Sequence, residues 1–208
     1  MSKEKPLRTT PRQERSRQRV DLILDTAAAL FVEIGYEATT TNAIAERAGI
    51  SIGSLYRYFP DKDTILRALI ARYSRELRKL YEELFTEDAV YLPLPVLVDR
   101  VFDRYLGFYG KCPAVKHLLL GSDSSTEIGA AMVALEDMTI GHLKNFLMRF
   151  QLAEERAFLV ALVCQAIVKA MFTLLTPSVD AARAAQIVAE FKHLLLIYLT
   201  PISSESSF

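Results

Sequence analysis

The chain has 208 residues, enough for one large or two small cores, and 51% of them are hydrophobic, which excludes extensive disorder. Its 25 basic residues balance 25 acidic ones, so overall charge points to no polyanionic partner and any such argument must rest on where the charges sit. Among residues 1–19, seven are basic (Lys3, Lys5, Arg8, Arg12, Arg15, Arg17, Arg19) and two acidic (Glu4, Glu14), leaving the remainder net negative. Lys3 and Lys5 read as a solvated tail, whereas the arginines run into a helix and are candidates to meet phosphate. No stretch is expected to reach the length and purity of a transmembrane helix, and the charged N-terminus lacks a signal peptide's apolar core, so a cytoplasmic protein is expected. The only cysteines, Cys112 and Cys164, have neither disulfide-framework nor zinc spacing.

Glycine and proline are scarce, and apolar residues recur at three- and four-residue intervals, so the spacing predicts an all-α chain of about nine helices. The first helix is expected over 12–34, burying Val20, Ile23, Leu24, Ala27, Leu30 and Phe31 and ending at Gly35. Two short helices follow within residues 39–62, TTTNAIAERAGISIGSLYRYFPDK. Ile44 and Ala48 share a face, Ala45 permits close crossing, Gly49 makes the turn, and Ser51 caps a second helix anchored by Leu55 and Phe59. Its opposite face carries Ile52, Gly53, Tyr56 and Arg57, as a helix entering a major groove would. Pro60 ends that helix and Asp61 caps a long one to about residue 85. Breaks at Pro93 and Pro95 and at Cys112-Pro113 bound a helix over 96–109, and a short one is expected over 114–120. Long helices are expected over 126–150, 154–175 and 180–199, the last two being antiparallel neighbours across Pro177, followed by a frayed tail.

AERAGISIGSLYRYFPDKDTIL, with its Leu-Tyr-x-Tyr-Phe core and following Lys62, resembles the recognition segment of the TetR family of transcriptional regulators, and AALFVEIGYEATT resembles that family's first helix and the corner after it. Beyond about Leu69 the likeness is one of length and helical layout. The resemblance implies an N-terminal three-helix DNA-binding domain, residues 1–62, and a C-terminal effector-binding and dimerisation domain, residues 63–208. It further implies a homodimeric regulator of double-stranded DNA, a repressor released by a small molecule that enters a pocket between the 61–85 and 154–175 helices. In the family the last two helices form a four-helix bundle with their two-fold copies, which here would place Phe158, Leu162, Ile187, Phe191, Leu194, Leu195 and Tyr198 at the dimer interface. Pattern alone fits the core of a monomer equally well.

Thr40 and Thr41 stand where the second helix begins, as N-caps and as phosphate ligands at its positive end. Tyr56 and Lys62 are phosphate candidates by analogy to the family motif, Ser54 and Tyr58 by position, although Tyr58 could instead pack on the first helix. For base contacts, Ile52 can touch a thymine methyl, Gly53 admits close approach, Arg57 reaches guanine or phosphate, and Asn42 pairs with adenine. Asn42 departs from the basic residue often found there in the family. In the body, Tyr73, Phe102, Tyr105, Phe108, Tyr109, His117, Met132, Met138 and His142 are candidates to line a pocket, most of them equally suited to ordinary core. No catalytic constellation, metal site or cofactor motif emerges, so the expectation is not an enzyme. Control by a protein partner or a redox change is an alternative, as is a helical carrier or enzyme that does not bind DNA.

Overall fold

The structure is a computed structural model that describes residues 11–111, 126–176 and 178–205. Within them lie eight α-helices and no strand: α1 (Pro11–Glu33), α2 (Thr41–Arg47), α3 (Ile52–Tyr56), α4 (Lys62–Leu84), α5 (Leu94–Lys111), α6 (Thr126–Met148), α7 (Glu154–Leu174) and α8 (Ala181–Glu205). The helix expected over 114–120, together with Cys112 and His117, lies outside the described residues, as do residues 1–10 and the side chains of Arg12 and Met132. The chain divides into two compact units, residues 1–71 and 72–208, whose boundary falls inside α4.

In the first unit α1 packs on α2, and α2 on α3. Helices of seven and five residues are too short to persist alone, so their ends carry the shape. Gly35 (φ +83°) and Gly49 (φ +63°) take the left-handed conformation after α1 and α2. Thr40 accepts from the Ala43 N–H (3.1 Å) and Ser51 from the Ser54 N–H (3.2 Å), capping α2 and α3. Asp61 Oδ1 accepts from the Thr64 N–H (2.6 Å) at the start of α4. Ile23, Leu24, Ala27, Leu30, Phe31, Ile44, Ala45, Leu55 and Phe59 are buried, and Val20 is half-buried. Thr39 is buried too, its hydroxyl donating to the Gly35 carbonyl at 2.7 Å.

In the second unit α6 packs on α7, α5 on α8, and α7 on α8. A 3-10 helix, Glu87–Tyr91, precedes α5, which begins earlier than expected because Pro95 is tolerated in a first turn, where its N–H would be unbonded anyway. Arg100 donates to the Glu83 carbonyl (2.8 Å) and Arg149 to the Phe85 carbonyl (3.1 Å), so cations satisfy the end of α4. The last helix also exceeds its expected range: α8 continues through Pro201 to Glu205, since a proline so near the end removes only one backbone bond.

Two helical segments, Glu154–Leu174 and Ala181–Ile202, are long and apolar enough to cross a membrane, with mean hydropathies of 2.1 and 1.2. This corrects the expectation that no stretch reaches that mark; from Ala157 to Leu174 the single charge is Lys169. Their composition follows from serving two faces. Ala157, Val160, Ala161, Cys164, Met171 and Phe172 are buried in the unit, whereas Phe158, Leu159, Leu162 and Val163 on α7 and Leu194 and Ile197 on α8 are exposed. Leu195, expected at the dimer interface, is only 5% exposed and belongs to its own core; Ile187, Phe191 and Tyr198 are partly buried against that core.

Candidate nucleic-acid interface and body cavity

The capped turn between α2 and α3 fixes which side chains the motif presents. Asn42, Gly53, Tyr56 and Arg57 are exposed, and Ile52 and Ser54 are half-exposed. The Thr41 and Tyr56 hydroxyls are 3.1 Å apart, joining the first turn of α2 to the last of α3. One hydroxyl donates to the other, which leaves a single O–H free to donate to a phosphate oxygen at a helix N-terminus. Thr40 is occupied as the N-cap of α2. The Arg57 guanidinium lies 5.7 Å from the Tyr58 ring centre. Ser16 on α1 hydrogen-bonds the Tyr58 phenol and, with Arg57, holds it below the usual tyrosine range, placing the half-buried Tyr58 against α1.

Lys62, expected as a phosphate ligand, is already engaged within the head. Its ammonium donates to the Tyr36 carbonyl (2.7 Å) and the Glu37 carbonyl (3.3 Å) and sits 4.2 Å from the Tyr36 ring centre. The Tyr36 hydroxyl in turn bonds Asp63. Burial and these neighbouring carboxylates push the Tyr36 phenol up, keeping it a donor. Lys62 thus ties the start of α4 to the corner after α1, and at most one ammonium N–H remains for DNA. Two groups absent from the sequence expectations help brace the motif: Arg47 on α2 makes a bidentate pair with Glu33 on α1. No spacing rule finds that pair, because fourteen residues and a turn separate the partners.

Inside the second unit lies a cavity of about 430 Å³. Phe102, Tyr105 and Tyr109 line it, as do Tyr81, Phe85, Phe146, Phe150 and Phe172, which are not among the residues expected to line a pocket. The i, i+4 pairs Tyr81/Phe85 and Phe146/Phe150 were the available signal, since each puts two rings on one helix face. Tyr73, Phe108, Met138 and His142 are not among the lining residues. Tyr73 is core, Phe108 and Met138 pack against the body core, and His142 stacks on the Tyr81 ring, 5.4 Å between centroids and nearly parallel. The wall's polar residues are few: Glu136 and Lys169, which pair with each other, Thr139, Gln165, Cys164 and the tyrosines. Burial pushes the Cys164 thiol up to about 12, so it stays protonated at neutral pH.

The comparisons with known proteins divide along the chain in the same way. Residues 23–69 match the family "Bacterial regulatory proteins, tetR family", and residues 93–199 match "Tetracyclin repressor-like, C-terminal domain". The HTH-type transcriptional repressor KstR of Mycolicibacterium smegmatis is 40% identical over 67 residues, 32% of this chain and 31% of KstR. The chain therefore spans only about a third of that relative's length in the match. The nucleoid occlusion factor SlmA of Glaesserella parasuis is 28% identical over 150 residues, 70% of this chain and 71% of SlmA. Among solved structures, the fatty acid degradation regulator FadR of Bacillus halodurans superposes with a TM-score of 0.68 at 16% identity, covering 91% of this chain and 96% of FadR. With the head and the greater part of the body both matched, the chain belongs to the TetR family of bacterial regulatory proteins.

Proposed function

We propose that this protein is a homodimeric, cytoplasmic repressor that binds double-stranded operator DNA through α2 and α3 and leaves it when a small molecule fills the body cavity. The observation that carries the reading is the exposed face of α3 beside the capped end of α2, where Thr41 and Tyr56 meet at 3.1 Å. Tyr56 and Thr41 hold phosphate, while Ile52, Gly53, Arg57 and Asn42 read bases. The exposed apolar residues of α7 and α8 are covered by the same helices of a second copy, which also accounts for their membrane-like composition. Helix α4 contributes to both units, so a ligand that shifts it alters the spacing of two heads that must match two half-sites at once. Linkage then requires operator DNA to weaken ligand binding by the same factor.

Selection of bound fragments from genomic DNA, followed by gel shifts, tests the reading. A near-palindromic site is expected. Tyr56→Ala weakens specific and random duplex alike, whereas Asn42→Ala and Ile52→Ala change discrimination at one position per half-site by about 1–3 kcal/mol. Sedimentation gives twice the chain mass at micromolar concentration, and Leu162→Glu yields monomers. A chain that selects no DNA, or an operator without a dyad bound by a monomer, overturns the proposal.

A further inference from the structure

The cavity wall is mostly aromatic and aliphatic, and its few polar residues include Tyr81 on α4, Glu136 and Thr139 on α6, and Gln165 and Lys169 on α7. Tyr81 on α4 is 1% exposed, and its hydroxyl meets no hydrogen-bond partner among the described residues. Thr139 lies beside it, but its hydroxyl proton goes to the Leu135 carbonyl at 2.9 Å, so it cannot donate to the phenol, and its oxygen stands outside bonding geometry as an acceptor. Gln165 on α7 also lines the cavity, and its Oε1 is buried and without a partner. Gln165 stands one turn before Lys169, whose ammonium is paired with Glu136, and Glu136 stands three residues before Thr139 on α6. The wall therefore holds two unmet polar atoms and one closed ion pair. Packed interiors leave few such atoms unsatisfied, and two that line the same cavity call for a partner from within it.

We propose that the effector is an uncharged, mostly apolar small molecule whose one hydroxyl group is held by the Tyr81 hydroxyl and Gln165 Oε1. This rests on the reading of the cavity as the effector site. Gln165 Oε1 only accepts, so its partner must donate; the phenol can then donate to the partner's oxygen, and a hydroxyl meets both demands at once. A carboxylate would find Lys169 already neutralised and Glu136 next to it, with no other cation among the described lining residues. An ammonium would face a Glu136 already held by Lys169. In either case the loss of hydration goes uncompensated. Burial pushes the phenols of Tyr81 and Tyr109 up, so both stay protonated. A volume of about 430 Å³ admits a molecule at the small end of the drug-sized range.

Calorimetric titration of the full chain with 1-decanol, its methyl ether, decanoate and decylammonium tests this. The alcohol is expected to bind about tenfold more tightly than the other three, the usual scale for one hydrogen bond made or left unmade. Tyr81→Phe and Gln165→Met each remove an unmet polar atom from an apolar wall, so thermal unfolding should hold or improve. Each should weaken the alcohol about tenfold; Gln165→Met should leave the ether unchanged, whereas Tyr81→Phe, which removes the donor that an ether oxygen also accepts, should weaken it too. Equal or tighter binding of either ion, no binding of the alcohol, or variants that bind it like the parent would overturn the assignment. Operator release is measured in the same samples. Alcohol that binds through Tyr81 and Gln165 without freeing DNA supports the ligand class and defeats the regulatory reading, whereas release by decanoate alone does the reverse.

Discussion

Helices α2 and α3 in the first unit are seven and five residues long, while α5 to α8 in the second run from 18 to 25 residues. A short helix cannot be stabilised by length, so the head depends on single devices with no substitute: two left-handed glycines, three side-chain caps, and Leu55 and Phe59 as the anchors of α3. A long helix buries a whole stripe, and many combinations of apolar residues fill the same volume. Function adds to the contrast. On the proposed function the head must present a fixed face to an invariant polymer, whereas the wall of the body cavity can change with its ligand. Substitutions should therefore be felt individually in the head and be averaged in the body.

The largest effect expected from this contrast is on Leu55, fully buried in a five-residue helix. Leu55→Ala should cost about 2–5 kcal/mol and remove DNA binding with it. Leu147 in the body is also buried but lines the cavity, so one side of it already lacks neighbouring atoms. Leu147→Ala should fall at or below the lower end of that range, because fewer contacts are lost. Urea denaturation followed by circular dichroism measures both. Equal costs would remove the distinction between the units.

The same contrast explains what could be read from the sequence. Gly49, Ser51, Leu55 and Asp61 were legible because each has a local job tied to its residue type. The all-α body was legible from periodicity, but its cavity was not. Periodicity reports that Tyr81 faces inward and cannot report that the packed helices leave a cavity beside it. Tyr73 and Tyr105 carry the same inward signal, yet only Tyr105 lines the cavity. Lys62 shows the complementary limit. Its place in the motif was plain, but its bonds to the Tyr36 and Glu37 carbonyls depend on a chain fold across twenty-six residues. At the last helix pair, Leu194 and Leu195 are neighbours of equal hydrophobicity; the helix turn alone exposes one and buries the other.

Alkaline pH should act on the body through Cys164. Its thiol is raised from the ordinary 9.0 to about 12 by burial, so the unfolded chain ionises first. Stability is unaffected by this group below about pH 9 and falls as pH rises from there towards 12, at up to about 1.4 kcal/mol per unit. Compared with Cys164→Ala, the parent should lose about 2 kcal/mol more between pH 8 and pH 10.5. Denaturation curves of both proteins across that range measure it. Parallel pH profiles would mean that the thiol is not held from water in the folded body.

The smallest effects give the sharpest form of the comparison, because one substitution should change sign between the units. At both Gly49 and Gly107 an added methyl would meet nothing within 4 Å, so neither packing nor collision enters. Gly49 has φ +63°, where an L-residue clashes with its own backbone, and Gly49→Ala should cost about 1–2 kcal/mol. Gly107 is exposed inside α5 with ordinary helical backbone, and Gly107→Ala should stabilise by about 0.4–1 kcal/mol, because alanine leaves the unfolded chain fewer conformations to lose. Thermal melts of the two variants and the parent are sufficient. If both substitutions stabilised the protein, the left-handed turn between α2 and α3 would not be an obligatory feature of the head, and the exposed face of α3 would lose the support that aims it.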